Sequence, residues 1–245
     1  INSSNPCSEY MFLDDTSCNL ASLNLLAFTD GKGRFNVDDF RQAARVVTIA
    51  LDIANDSASY PVRDIARISP EFWTVGLGYA NIGGLLMRRG VSYDSEEGRA
   101  ISGAITALMT GTAYETSAEM ANKLGTFIHF EFNKKPMLEV MHQHRKALDD
   151  IVDEHVPKDL MLAARESWDN VLARGEKHGF RNAQATVLAP TGTISYLMGC
   201  ATTGTGVEPP ISLRIRKDLA GGGQIILEND EVRNALKNLG YPEQH

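Results

Sequence analysis

Residues 37–59 carry Phe40, Ala44, Val47, Leu51, Ala54 and Ala58 at steps of three and four, one apolar stripe on a 3.6-residue period. The pattern predicts a long helix with a single face to bury, stopped before Pro61. A second pattern starts where Asp94 and Glu97 stand as a capping box and turns Ile101, Ile105, Leu108, Ala121 and Leu124 inward. A third covers roughly 158–175 through Leu160, Ala164, Trp168 and Val171. Two short β-type runs interrupt the helices. One lies near Trp73–Leu77 and passes through small residues into a helix ending near Arg89; the other, QATVLA at 184–189, alternates and is β-branched. Long amphipathic helices interleaved with short strands predict an α/β architecture.

Gly76, Gly78, Gly83 and Gly84 bear a faint likeness to a dinucleotide loop, but the G-x-G-x-x-G spacing is not met because Asn81 stands at its third position. Close packing of a helix on a strand accounts for them better. Two other glycine-rich stretches, 202–206 and 220–224, read as flexible. No apolar run reaches the roughly 18 residues of a membrane span, so no membrane is expected. A net charge of −7 argues against a general nucleic-acid surface. Three cysteines do not make a secreted disulfide framework and point to a reducing cytoplasm. The first residue is Ile1, inside a chemically dense stretch, and the last residues, VRNALKNLGYPEQH, form a helical pattern; the expectation is a piece of a longer polypeptide.

Three groups are candidates for chemistry. The strand 184–189 runs into PTGTIS, residues 190–195, and then a short helical stretch, YLMG. A strand, a tight turn with Gly and hydroxyls, and a helix start aim amides at one spot, which favours an anion or is an ordinary N-cap by Thr191 or Thr193. Glu139, His142 and His144 lie close together, but the spacing fits a solvated helix face and no metal is assigned. The third group is NPCSEYMFLDDTSC. Cys7 and Cys18 stand too far apart for a C-x-x-C redox motif and do not match a zinc knuckle. If the segment is extended, Asn5 and Glu9 lie on the same side as Cys7. An amide and a carboxylate beside a thiol suit hydrogen abstraction and proton transfer on a polyhydroxylated substrate. A Cys–His nucleophile is the rival, with no histidine nearby in sequence.

NPCSEYMFLDDTSCNLASLNL and APTGTISYLMGC…VEPP…LAGGG resemble the catalytic chain of ribonucleotide reductase, with wording closest to its adenosylcobalamin-dependent branch. The resemblance spans nearly all 245 residues, TVGLGYANIGGLLM and GAITALMTGTAYETSAEMA included. It implies that residues 1–245 are the C-terminal portion of a ten-stranded α/β barrel whose central finger loop carries a radical cysteine. On this resemblance Cys7 is the thiyl position that removes the ribose 3′ hydrogen, and Glu9 takes the proton of the 3′ hydroxyl. Asn5 hydrogen-bonds the ribose hydroxyls, and Cys18 is one of two cysteines that reduce the 2′ carbon. Pro6 and Ser8 complete the substrate-binding loop around the thiol, and Pro190, Thr191, Gly192, Thr193, Ile194 and Ser195 match the loop that cradles the substrate phosphates.

The implied cofactor is adenosylcobalamin. The implied partners are a ribonucleoside di- or triphosphate, a thioredoxin-like dithiol and the remainder of the same chain, with homodimerisation left open. The second reducing cysteine, the allosteric region and the C-terminal cysteine pair of the family fall outside this sequence. Cys200 reads as a packing thiol. The segment CATTGTGVEPP departs from the family pattern, being two residues longer and having Ala201 where Asp is expected. An iron-dependent reductase chain is the nearest alternative, and a thiol-dependent hydrolase or phosphate-binding module the more remote one.

Overall fold

A computed structural model describes residues 1–200, 206–209 and 212–242. Its elements run β1 (Asn19–Asn24), α1 (Val37–Asp56), α2 (Arg63–Phe72), β2 (Val75–Ala80), α3 (Ile82–Arg89), α4 (Glu96–Leu124), α5 (Phe130–Ala147), α6 (Lys158–His178), α7 (Gly192–Leu197), β3 (Arg214–Asp218), β4 (Gln224–Glu228) and α8 (Asp230–Asn238). The mixture of helix and strand is the α/β class expected. Among the described residues, the named strands form two two-stranded sheets, β1 with β2 and β3 with β4.

One unit comprises Ile1–Leu23, Val37–Gly78 and Ala100–Ala189. Its strand β2 is buried at every residue, as a strand covered on both faces must be. The segment expected as a strand at 184–189 is extended and lies parallel to β2, with a single bridge between Leu77 and Thr186. The Val75 amide donates to Gln184 O (2.9 Å), the Leu77 amide to Ala185 O (3.0 Å) and the Val187 amide to Leu77 O (3.0 Å).

Helix α1 forms where its period predicts, but its stripe differs. Phe40, Ala44 and Leu51 are buried, whereas Ala54 is exposed and Asp52 and Asn55 are buried instead. Hydrogen bonding is the reason. Asn55 Nδ2 donates to Thr74 O (3.1 Å), and Asp52 Oδ1 accepts from Asn182 Nδ2 (2.9 Å). Asn182 Nδ2 also donates to Trp73 O (2.9 Å), and its Oδ1 accepts from Ser117 Oγ (2.8 Å). This buried knot joins α1, α4 and the entrance to β2, and pairing removes the desolvation cost of its polar atoms.

Helix α2 was not foreseen. Ile65, Ile68 and Phe72 recur at helical spacing but are only half-buried, and Ser69 is its one fully buried residue. Helix α4 begins one residue later than its expected cap. Ser95 Oγ accepts from the Gly98 amide (3.0 Å), while Asp94 pairs with Arg99 (3.1 Å). Leu124, placed inward by periodicity, is exposed at the helix end. Helix α6 buries Leu160, Ala164, Trp168 and Val171 as expected. Arg41 and Arg174 reach the mostly buried Glu115 at 3.2 and 3.4 Å, tying α1 and α6 to α4.

The other unit comprises Asn24–Asn36, Tyr79–Arg99 and the described residues from Pro190 onward. Arg88 on α3 forms a two-pronged pair with Glu231 on α8, at 2.7 and 2.5 Å. The glycine stretch 220–224, expected to be flexible, is the turn of an antiparallel hairpin. Asp218 pairs with Gln224, and Gly222 and Gly223 take φ of 87° and 88°. Residues 202–205 of the other stretch lie outside the described residues.

Asn182→Ala in the full-length protein removes three buried hydrogen bonds and is expected to cost about 2–4 kcal/mol. Faster native-state hydrogen exchange at the Val75 and Leu77 amides is the readout.

Candidate active site

The segment around Cys7 is a turn, so the condition of an extended run under which Asn5, Cys7 and Glu9 share one side is not met. The Asn5 amide donates to Tyr10 O (3.2 Å), the Tyr10 amide donates to Asn5 Oδ1 (3.0 Å), and the Ser8 amide donates to Asn5 O (3.0 Å). Ser8 accordingly takes a left-handed φ of 62°. Further out, the Asn2 amide donates to Asp14 Oδ1 (3.0 Å), which ties the two legs together. Pro6, Cys7 and Ser8 form an exposed tip. With Asn5 Oδ1 engaged by Tyr10, the amide Nδ2 of Asn5 is its remaining side-chain donor.

The base of this hairpin is fixed by buried hydroxyls. Tyr10 OH lies 3.0 Å from both Thr16 Oγ1 and Thr74 Oγ1, and Thr74 Oγ1 donates to Ser17 O (2.5 Å). Burial is the main reason the Tyr10 phenol titrates above its ordinary range. The Ser17 amide donates to Ser69 Oγ of α2 (3.0 Å). Phe12 stacks on Tyr10 and meets Phe72 edge-on.

Cys18 follows directly, half-buried against Tyr10, Val187 and Ala189. Its space is made by Gly76 on β2. A Cβ there would stand 2.8 Å from Cys18 Sγ, 2.6 Å from Leu20 Cδ2 and 2.7 Å from Val187 Cγ2. Burial, reinforced by the negative charge of Glu9, pushes the Cys18 thiol up to about 12. Cys18 is therefore an S–H group at neutral pH. Glu9 Oε2 is buried with no hydrogen-bond partner among the described residues. The fold thus brings Glu9 near Cys18, while Cys7 is exposed at the tip of the same segment.

Pro190–Ser195 belongs to the other unit. Helix α7 begins at Gly192, inside the loop rather than after it. Ser195 Oγ donates to Gly192 O (2.7 Å) and is occupied within the helix. Thr191 Oγ1 is buried with no hydrogen-bond partner among the described residues, while Pro190, Thr193 and Ile194 are exposed and Gly192 is half-buried. Thr193 is the loop hydroxyl open to a ligand. Cys200 is half-buried, its thiol pushed up to about 11 by burial. His142 pairs with Glu176 of α6 at 3.5 Å. Tyr10 and Thr74 were not singled out in the sequence, and Gly76 only as a residue of close helix–strand packing. Tyr10 and Thr74 stand 64 positions apart, so only the direct succession of Tyr10 on Glu9 hinted at either.

A family model described as the ribonucleotide reductase barrel domain matches residues 1–245. The vitamin B12-dependent ribonucleotide reductase of Rhodopirellula baltica is 55% identical over 241 residues, covering 98% of this chain and 23% of the relative. That of Agrobacterium fabrum is 51% identical over 259 residues, covering 99% and 20%. The vitamin B12-dependent ribonucleoside-diphosphate reductase of Thermoplasma acidophilum is 25% identical over 248 residues, covering 100% and 27%. The chain spans about a quarter of the length of these relatives.

Alkylation with iodoacetamide at pH 8 in the full-length protein is expected to label Cys7 much faster than Cys18, read by peptide mass mapping. Glu9→Gln removes the charge that raises the Cys18 thiol and is expected to lower the pH at which Cys18 labelling rises.

Proposed function

Because the chain belongs to the ribonucleotide reductase barrel-domain family, we propose that it carries reacting residues for the conversion of ribonucleotides to 2′-deoxyribonucleotides. The observation that supports this best is a protonated, half-buried Cys18 near a carboxylate whose buried oxygen lacks a partner among the described residues, in the same segment as an exposed thiol at its tip. A hydrolase nucleophile needs the opposite, a depressed thiol and a histidine base, and no histidine hydrogen-bonds Cys7 or Cys18 among the described residues. On this reading β1, β2 and 184–187 are part of a ten-stranded barrel, and residues 2–14 are its finger loop.

With the radical on its sulfur, Cys7 takes the hydrogen atom from ribose C3′, becoming a thiol and leaving the carbon radical. Glu9 Oε2 accepts the proton of the 3′ hydroxyl, which makes loss of the 2′ hydroxyl as water easier in the radical, where catalysis must act. Asn5 Nδ2 donates to a ribose hydroxyl and holds the ring. Cys18, kept as S–H, supplies hydrogen toward C2′. The two electrons come from Cys18 and a second thiol in the rest of the reductase, and the pair ends as a disulfide. Cys7 then returns its hydrogen to C3′ and regains the radical. A thioredoxin-type dithiol restores the pair, a chemistry suited to the cytoplasm. The substrate is a nucleoside di- or triphosphate whose phosphates lie on Pro190–Ser195.

The relatives' names carry the cofactor reading. Cys7, exposed and without a hydrogen-bond partner among the described residues, fits a thiol approached from outside its own loop. Adenosylcobalamin, when bound, supplies homolytic radical chemistry, and Cys7 is the residue here that would face it.

Anaerobic reduction of cytidine nucleotides by the full-length protein with a dithiol is expected to depend strictly on adenosylcobalamin. A requirement for an iron-bearing partner instead would overturn the cofactor assignment, and no turnover with either would overturn the reaction. Cys7→Ser should abolish product. Glu9→Gln should slow it by roughly 100- to 10,000-fold. Cys18→Ser should still consume substrate but give inactivation in place of deoxynucleotide.

A further inference from the structure

We propose that Asn81 is a positioning residue for the phosphate loop, acting through Asn24 and Gly206; this rests on the reading of Pro190–Ser195 as that loop. Asn81 is fully buried and left-handed, at φ 76° and ψ 26°, immediately before α3. An Asn at that place ordinarily caps the helix with its side chain. Here the side chain makes no capping bond. Its Nδ2 donates instead to Asn24 Oδ1 (2.9 Å). Asn24 in turn donates from Nδ2 to the carbonyl of Met198 (3.1 Å), the residue that closes α7. The far end of the helix that begins in the loop is therefore held by a two-residue amide relay starting at Asn81.

The backbone of the same residue holds the loop from the other side. The Asn81 amide donates to Gly206 O (2.5 Å), and the Gly83 amide donates to Val207 O (2.9 Å). Gly206 lies directly on Thr191, so that a Cβ would stand 1.4 Å from Thr191 Oγ1. Gly206, at φ 74°, is the residue that shuts Thr191 in. Gly84 makes room for the Asn81 side chain, since a Cβ there would meet Asn81 Oδ1 at 2.4 Å. Side chain and backbone of Asn81 thus fix α7 and the residue before it independently. Loss of the side-chain arm alone should loosen the loop without touching the thiols.

The test uses the full-length protein, with inorganic pyrophosphate as a probe of the phosphate seat alone. Asn81→Gly keeps the left-handed backbone and the amide bond to Gly206 but removes the arm to Asn24. It is expected to raise the calorimetric Kd for pyrophosphate and the KM for ribonucleotide roughly tenfold, the worth of one positioned hydrogen bond, with kcat within about twofold. Asn24→Asp, which keeps the acceptor for Asn81 but loses the donor to Met198, should do the same and serves if Asn81→Gly does not fold. Thr193→Ala reads the loop itself. A rise with Thr193→Ala and none with either asparagine variant overturns the relay and leaves the loop reading standing. No rise with any of the three overturns both. A fall in kcat with Kd and KM unchanged also overturns the relay.

Discussion

The hydroxyl of Tyr10, set between Thr16 and Thr74, is the contact on which the thiol hairpin depends. A reactive sulfur has to be exposed, and an exposed loop tip has few contacts of its own to hold it. The solution here is to order the base. Tyr10 begins a chain of buried pairings that runs through Thr74 to Ser17, and from Thr74 O to Asn55. Asn182, itself held by Asp52 and Ser117, donates to the neighbouring Trp73 carbonyl. Leaving one buried hydroxyl or amide unpaired costs about 1–3 kcal/mol, so each member constrains the next. The hairpin inherits its position from α1, α2 and α4.

Glycine at 76 plays the complementary part. By omitting a side chain on a strand buried at every residue, it lets Cys18, Leu20 and Val187 converge on one point. That convergence desolvates Cys18 and, together with Glu9, keeps it protonated. The two thiols of the hairpin region are thereby made chemically different, one exposed at a tip, the other half-buried beside a carboxylate. The proposed roles of hydrogen donor and radical carrier need that difference.

In the other unit the same economy of buried amides recurs. Asn24 and Asn81 stand where neither charge nor hydrophobicity marks them, yet between them they reach both ends of the loop–helix segment that carries Thr193. The glycines that resemble a degraded dinucleotide motif serve close approach: Gly78 faces the Val187 carbonyl, and Gly83 faces Glu208 and Pro209.

The sequence by itself determined the amphipathic helices, the α/β class, and the NPCSE and PTGTIS motifs that carry the family resemblance. Those properties are local: a helical period is written in neighbours three and four apart, and a motif in consecutive residues. Tertiary structure alone decided that Asp52 and Asn55 face inward where Ala54 does not, and that the Cys7 segment is a turn. It also decided that Ser195 is occupied within α7 and that Cys18 holds its proton. The physical reason is common to all of them. The fate of a polar side chain is set by a partner it meets only after folding, and Asn182 meets Asp52 across 130 positions of sequence; no local pattern encodes such a pairing.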